Sequence, residues 1–254
     1  MKGFGVLLRK EIKEQFRTNK IVIIAIVFLF FGLSSPVMTK YLPEIINSLS
    51  GTGGFTIEMP DPVSSDALLS YASNISQFGV LMTVLLAMGA IAKEIESGTA
   101  ALLLSKPVTR LSFIIAKLAA EGLNILLGLL MGGLACWGYT LILFGEVSAL
   151  GFVYQMLLLA LFLLFCLSVT LFFSSLIKNQ IAAGGLAIAV IIIISILSAL
   201  PKIVHFLPGG LISWGNNLVS GVSGSAEWGS LAVSLALIVL GIYGAWFNLR
   251  RKEL

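Results

Sequence analysis

The sequence predicts an all-α integral membrane fold: six transmembrane helices, an N-terminal amphipathic interfacial helix, a short cytoplasmic helix after the second span and a re-entrant outer segment before the last. Three observations predict it. Apolar residues make up 58% of the 254-residue chain, against about 45–50% in a soluble domain. Charged residues make up 11%, against about 25%. The 28 ionisable side chains (16 Lys+Arg, 12 Asp+Glu) are clustered, leaving seven charge-free runs at 21–39, 67–92, 122–145, 147–177, 179–201, 203–226 and 228–249. A helix needs roughly 20 apolar residues to cross about 30 Å of hydrocarbon, and a charge at its centre costs about 2.5–3.5 kcal/mol on insertion scales. A soluble fold is excluded.

Residues 1–20 place six basic side chains within an arc of roughly 100° at helical spacing, opposite Phe4, Leu7, Leu8, Ile12 and Phe16. This reads as an interfacial amphipathic helix, serving as a lipid anchor, as a lever on a cytoplasmic partner, or as both. Val6 in the basic arc and Glu11 in the apolar arc depart from the pattern. The long charged region and the absence of an A-x-A-like site argue against a cleaved signal peptide. Span 1 is read at about 21–38, followed by an outer loop with Tyr41-Leu42-Pro43, a Gly-rich turn at 51–54 and Glu58, Asp61 and Asp66. Span 2 is about 73–92, and a cytoplasmic loop over 93–117 follows. Spans 3 (about 118–143) and 4 (about 151–176) are joined by a Gly145-Glu146 turn. Span 5 (about 181–200) follows the turn Lys178-Asn179-Gln180. The chain is read as one transmembrane domain: 1–20, spans 1–5 over 21–200, the outer segment 201–227, and span 6 with a basic tail over 228–254.

The run 203–226 differs from the other six because it carries Pro208-Gly209-Gly210, Asn216 and Asn217. It reads as irregular or re-entrant. Positive charge tests this, since Lys and Arg favour cytoplasmic loops. With six crossings and a cytoplasmic N-terminus, 14 of the 16 basic residues fall inside and only Lys40 and Lys202 outside. A seventh crossing would move Arg250, Arg251 and Lys252 outside and reduce the split to 11 against 5. Six crossings follow, with both termini cytoplasmic in the inner (plasma) membrane. The net charge of +4 then reflects topology, and nucleic acid is not an expected partner.

The spans exclude several chemistries. Ion-coupled carriers place an ionisable residue within the bilayer, and no span has one near its centre. Glu121 comes closest, at the start of span 3, where an i,i+4 pair with Lys117 is the simple reading. A single histidine, His205, rules out an H-E-x-x-H site, and Cys136 and Cys166 lie apart inside spans as packing thiols with no plausible third metal ligand. Gly221-Val222-Ser223-Gly224 matches the G-x-S-G of rhomboid-type proteases, but His205 in the same outer loop is the only available base. Leu49-Ser50-Gly51-Thr52-Gly53 looks like the signature loop of an ATP-binding cassette. It sits outside, however, in a chain without a phosphate-cradling G-x-x-x-x-G-K-[ST]. No enzyme is expected here. The small residues Gly128-x-x-x-Gly132, Gly133 and Gly184-Gly185 permit close helix approach.

The most informative segment is Lys93-Glu94-Ile95-Glu96-Ser97-Gly98-Thr99-Ala100-Ala101-Leu102-Leu103-Leu104-Ser105-Lys106-Pro107-Val108-Thr109-Arg110, with Lys117 two turns on. Gly98 can end the span-2 helix, 99–105 can form a short apolar helix, and Pro107 suits the first turn of the next. The face Ala-Ala-Leu-Leu-Leu is too apolar for water and fits a pocket on a partner or the lipid headgroups. This segment resembles the first cytoplasmic loop of permease subunits in ABC exporters of the type-2 class, with the pattern E-x-E-x-G-T, L-L-S, P-V-[ST]-R and a later Lys. Glu94, Glu96, Gly98, Thr99, Leu103, Leu104, Ser105, Pro107, Val108, Thr109, Arg110 and Lys117 carry the match.

The resemblance implies that this loop is a coupling helix seated in a cleft of a separate cytoplasmic ATPase. Two ATPase copies would bind ATP and magnesium, and two permeases, a homodimer in the simplest case, would enclose the path. Glu94, Glu96, Gly98, Thr99, Leu103, Leu104, Ser105, Pro107 and Arg110 are then the expected ATPase-coupling residues. Within that class the chain is similar to small half-permeases that export amphipathic peptides, of the bacitracin-resistance, lantibiotic-immunity and phenol-soluble-modulin types. Permeases linked to sodium extrusion or nitrous oxide reductase maturation share the plan. The alternative reading is an ion-coupled carrier or channel that works without an ATPase.

Overall fold

The computed structural model describes residues 3–50, 61–99, 103, 108–198, 200, 203–222 and 226–251, with only the backbone described at 47–50. Helix α1 (Phe4–Arg17) leads through Thr18 and Asn19, whose φ of 55° places it in the left-handed region common past helix ends, into α2 (Lys20–Ser50). Then come α3 (Ser64–Asn74), a π turn (Ile75–Gly79), α4 (Val80–Ala87) and α5 (Gly89–Glu96), four pieces of one long rod. Next are α6 (Arg110–Phe144), α7 (Ala149–Leu176), α8 (Gln180–Ser198), a 3-10 turn (Val204–Phe206), α9 (Gly209–Ser220) and α10 (Trp228–Arg251). Among the described residues there is no strand, and six rods are long and apolar enough to cross a membrane: Lys20–Ile46, Ser64–Glu96, α6, α7, α8 and α10. The protein is a multi-pass, all-helical membrane protein.

Local chemistry sets the helix ends. Thr109 caps α6 by accepting from the Ser112 amide at 3.2 Å, and Asn179 Oδ1 accepts from the amides of Ile181 and Ala182 at 2.9 and 3.2 Å. Gly145 and Gly221, at φ of 86° and 66°, end α6 and α9 in conformations that a side chain would strain.

One expectation is corrected. Span 1 does not give way to a loop near residue 39, because α2 continues through Pro36 and Pro43 to Ser50. Bilayer helices tolerate proline where neighbours satisfy the freed groups. Here Lys40 extends the helix by donating to the Leu143 carbonyl at 2.7 Å, at the negative C-terminal end of α6. The segment 201–227, read as irregular or re-entrant, contains in its described residues the 3-10 turn and the 12-residue α9. At 1.5 Å per residue α9 is about 18 Å long, too short to cross.

α7 is the central rod. Of its most apolar window 67% is buried, against 17% for α10 at the periphery. α6 packs on α2 at glycine contacts: Gly128 lies under Ile24 and Phe28, and Gly132 lies against the backbone of Phe28 and the hydroxyl of Tyr71. Gly184 makes room for Met88, whereas Gly185 faces open space. Cys136 and Cys166 are buried free thiols.

Candidate functional site

One end of the bundle gathers charge. α1 lies across it and buries the stripe Leu7, Glu11 and Gln15, while Val6 and Phe16 are 77% and 64% exposed. The apolar arc of the sequence reading is therefore only partly the docking face, and Glu11 belongs to that face. Gly3, in the left-handed region at φ 85°, brings the start of α1 against Val108, at the exit of the loop.

Glu11 is turned inward because a buried ammonium waits for it. Lys117 Nζ, on a side chain 3% exposed, lies 3.0 Å from Glu11 Oε1 and 3.0 Å from Glu94 Oε1. Lys10 Nζ lies 3.0 Å from Glu11, 2.6 Å from Glu94 and 3.4 Å from Glu14. A second pair sits beside this cluster: Lys20 Nζ meets Glu121 Oε1 at 2.8 Å and donates to the Leu86 carbonyl at 2.8 Å. The expected Lys117–Glu121 pair is thus replaced by two pairs reaching other helices, since long side chains at a helix-packing seam find partners across it. Charge-assisted hydrogen bonds in a partly dry site reinforce one another. The cluster ties α1, the end of α5 and the start of α6 into one unit.

Oxygens of Glu11, Glu14 and Glu94 come within 4.8 Å of one another, a spacing that could hold a metal ion. The Lys10 ammonium already supplies the cation among those three carboxylates.

Burial alone would raise the Glu11 carboxyl, but Lys117 and Lys10 outweigh it and hold its pKa below the ordinary 4.5. Burial alone would lower the Lys10 ammonium, but the hydrogen bond to Glu94 and the charges of Glu11 and Glu94 hold it above the ordinary 10.5. A depressed carboxyl contributes stability that is present above its unfolded pKa and lost as pH falls through the folded one. A raised ammonium contributes below its unfolded pKa and fails only as pH rises through the folded one. α1 should therefore stay docked through neutral pH and detach only in acid, as pH falls through the Glu11 value that Lys117 and Lys10 hold below the ordinary carboxylate range. A fluorophore on Val6→Cys checks this, and Glu11→Gln should remove the acid step. An acid step unchanged in Glu11→Gln would assign it elsewhere.

The loop itself begins where α5 ends at Glu96. Gly98 takes φ 71°, and Thr99 Oγ1 donates back to the Glu94 carbonyl at 3.3 Å. Glu96, Gly98 and Thr99 are exposed, while Leu103 packs on the core. Leu104, Ser105 and Pro107 lie outside the described residues, as do Glu58, the turn at 51–54 and Ser223. Arg110, at the return, donates to the Leu249 carbonyl near the end of α10. The structure thus brings Glu94 and Lys117 together with α1, places Arg110 against α10, and leaves Glu96 facing outward.

Sequence reasoning missed Ser174. Its Oγ accepts from the amides of Ile91 and Ala92 at 3.0 and 2.9 Å and donates to the Met88 carbonyl at 2.8 Å. A side chain inserted into the ladder breaks a helix, and the break at Met88 separates α5 from α4. The rod that carries Glu94 therefore ends in a short independent segment, stitched to α7. A serine within an apolar run gives no sequence signal for this.

Comparison with known proteins adds two findings. The family described as ABC-2 family transporter protein matches residues 6–205. The chain is also 26% identical over 257 aligned residues to the uncharacterized transmembrane protein YxlG of Bacillus subtilis (strain 168), across 100% of this chain and 99% of that protein.

Proposed function

The chain belongs to the ABC-2 transporter family, and from that premise we propose that it is the permease subunit of an ATP-driven exporter whose energy comes from separate cytoplasmic ATPase subunits. The working unit is two permeases with two ATPases, in the inner (plasma) membrane with both termini cytoplasmic. The spans form the path, α9 and its flanks form a re-entrant outer cap, and the cargo is amphipathic or hydrophobic, of the peptide-toxin class. Several features support this reading: no nucleotide-binding motif in the chain, 14 of 16 basic residues on one side of a six-span topology, and spans without a central charge. The single observation that carries it is where the described ends of the loop 93–110 sit, Glu94 in the charge cluster and Arg110 against α10. Displacement of the loop by an ATPase would reach α5, α6 and α1 together, because Glu94, Lys117 and Glu11 are ion-paired.

The test is ATP hydrolysis by the reconstituted permease with its co-expressed ATPase, stimulated by a panel of peptides, lipids and drugs. The permease alone should be silent. Glu96→Ala, which removes an exposed charge from the loop, should leave the complex assembled and abolish stimulated hydrolysis. Arg110→Ala should do the same, whereas Glu146→Gln at the opposite end should change little. Hydrolysis by a pure preparation of the chain would overturn the reading, and full stimulation in both loop variants would place coupling elsewhere.

A further inference from the structure

Beside the start of α6, the peripheral rod α10 leaves an apolar groove of about 350 Å³. Leu111 of α6 lines one side of it, and Val239, Ile242, Tyr243 and Trp246 of α10 line the other. At 3.6 residues per turn these four α10 residues share an arc of about 100°, and Arg250, one turn beyond Trp246, falls inside the same arc. The groove thus runs along α10 toward a cation. Arg250 is exposed, and its guanidinium lies over the Trp246 ring, 5.6 Å from the centroid. Arg251, also exposed, lies over the Phe247 ring at 4.2 Å, on a different face of the helix. Among the described residues neither arginine is ion-paired to a carboxylate. Arg110 donates to the Leu249 carbonyl and so ties α6 to α10 at this end of the groove.

From Val239 to Arg250 the helix rises about 16 Å at 1.5 Å per residue, and half of a 30 Å hydrocarbon core is about 15 Å. Arg250 therefore stands at a bilayer surface when Val239 is near mid-membrane. Trp246 and Tyr243 lie just below the arginine, where such rings gather at membrane interfaces. A guanidinium stacked on an aromatic face keeps its edge of N–H donors free, and that edge fits a phosphate bidentately. Basic groups between membrane helices at the bilayer surface recruit anionic head groups. Charge thus selects the occupant of this groove. The rule that places Lys and Arg on one side of a membrane needs only charge near a span end. It does not ask that the charge continue the line of an apolar groove.

We propose that this face of α10 binds an anionic phospholipid of the phosphatidylglycerol kind, its phosphate held by exposed Arg250 and one acyl chain lying along Trp246, Ile242 and Val239. A membrane helix of a second copy is a poorer occupant, because it would cover an unpaired guanidinium with apolar side chains. The lipid instead brings the counter-charge and leaves Arg250 at the surface. A zwitterionic lipid offers the same phosphate, but its amine is repelled by two neighbouring arginines. The site is independent of the permease reading and survives its failure.

The test uses the full chain in phosphatidylcholine nanodiscs containing a trace of probe lipid with a diazirine in its acyl chain. The probe carries a phosphatidylglycerol head in one arm and a phosphatidylcholine head in the other. The phosphatidylglycerol probe should cross-link at Val239 and Tyr243 about fivefold more than the phosphatidylcholine probe, the ratio that one cation near an anionic head group supports. At Leu157 on α7 and Ile193 on α8, which are exposed elsewhere on the bundle, the two probes should label alike. Arg250→Gln should bring the phosphatidylglycerol probe down to the phosphatidylcholine level in the groove. Arg251→Gln, the same charge removed from another face, should keep most of the preference. Val239→Trp should fill the groove and lower labelling at Tyr243 by both probes with Arg250 in place. A preference equal at all four positions, or one that falls equally in the two arginine variants, would belong to diffuse surface charge and overturn the proposal. No preference in the groove would also overturn it, as would a disulfide between Tyr243→Cys residues of two copies, which would make this face a protein contact.

Discussion

Replacing Lys117 by methionine should lower the unfolding temperature of the purified protein by about 10 °C, the largest effect expected of any single charge removal in this chain. Its ammonium is 3.0 Å from both Glu11 and Glu94 and lies over the Phe113 ring, 5.0 Å from the centroid. Methionine fills similar volume, so the loss is electrostatic. Two carboxylates, Glu11 buried and Glu94 partly buried, are left with Lys10, whose side chain is 37% exposed. Breaking a buried pair by removing one partner costs about 3–5 kcal/mol, and 1 kcal/mol is about 2–4 °C in a chain of this size. Neutralising Glu11 and Glu94 as well should be far milder, since a buried ion pair replaced by neutral groups of similar shape often costs little and the more exposed Lys10 keeps Glu14 as its partner. The triple variant Lys117→Met, Glu11→Gln, Glu94→Gln should therefore recover most of the lost stability in a thermal melt. If single and triple variants melt together, packing rather than charge holds this end of the bundle. The single variant should also free α1, which the Val6→Cys fluorophore reads directly.

Gly132→Ala should be the most damaging single methyl added within the membrane. At Gly132 a Cβ would meet the Phe28 carbonyl oxygen, with the Phe28 carbonyl carbon and the Tyr71 hydroxyl each at 2.7 Å. These are mainly backbone atoms, so relief requires that α2 move away from α6. That in turn disturbs Gly32, which approaches the Gly132 carbonyl in the same crossing. Overpacking costs about 1–3 kcal/mol and more where the neighbour cannot yield, so about 3 kcal/mol is expected. Gly138→Ala is the control: it lies on the same helix with nothing within 4 Å, and replacing a helix-interior glycine there should gain about 0.5–1 kcal/mol. Thermal unfolding of the two variants decides the matter, and equal melts would mean that the α2–α6 contact adds nothing.

Much of the architecture was legible because the bilayer is a severe solvent. Charge-free runs of 19 residues or more announce spans directly, and six of the seven are rods in the structure. The exception, 203–226, read as irregular or re-entrant from its Pro-Gly-Gly and the charge count, was not legible as the helix α9. That helix forms because Gly215 and Asn216 dock on Gln155 of α7, Gln155 Nε2 donating to Asn216 Oδ1 at 2.9 Å, and a tertiary partner of this kind leaves no periodic trace. The length of α2 was hidden for a related reason. Pro36 and Pro43 read as stops in isolation, yet Ser35, which accepts from Asn74, and Lys40, which reaches Leu143, hold the rod together.

The sequence by itself determined the solvent the protein folds in, the number of crossings and the chemically distinctive loop, because each rests on composition and short-range pattern. Insertion energies add residue by residue along a helix and need no knowledge of neighbours. The tertiary structure alone decided who pairs with whom. Glu11 looked like a flaw in an amphipathic helix, and Lys117 and Glu121 looked like partners one turn apart. Packing three helix ends together gave each carboxylate a nearer ammonium on another element. Coulomb energy depends on distance and local dielectric, and both are set by the fold rather than by spacing along the chain.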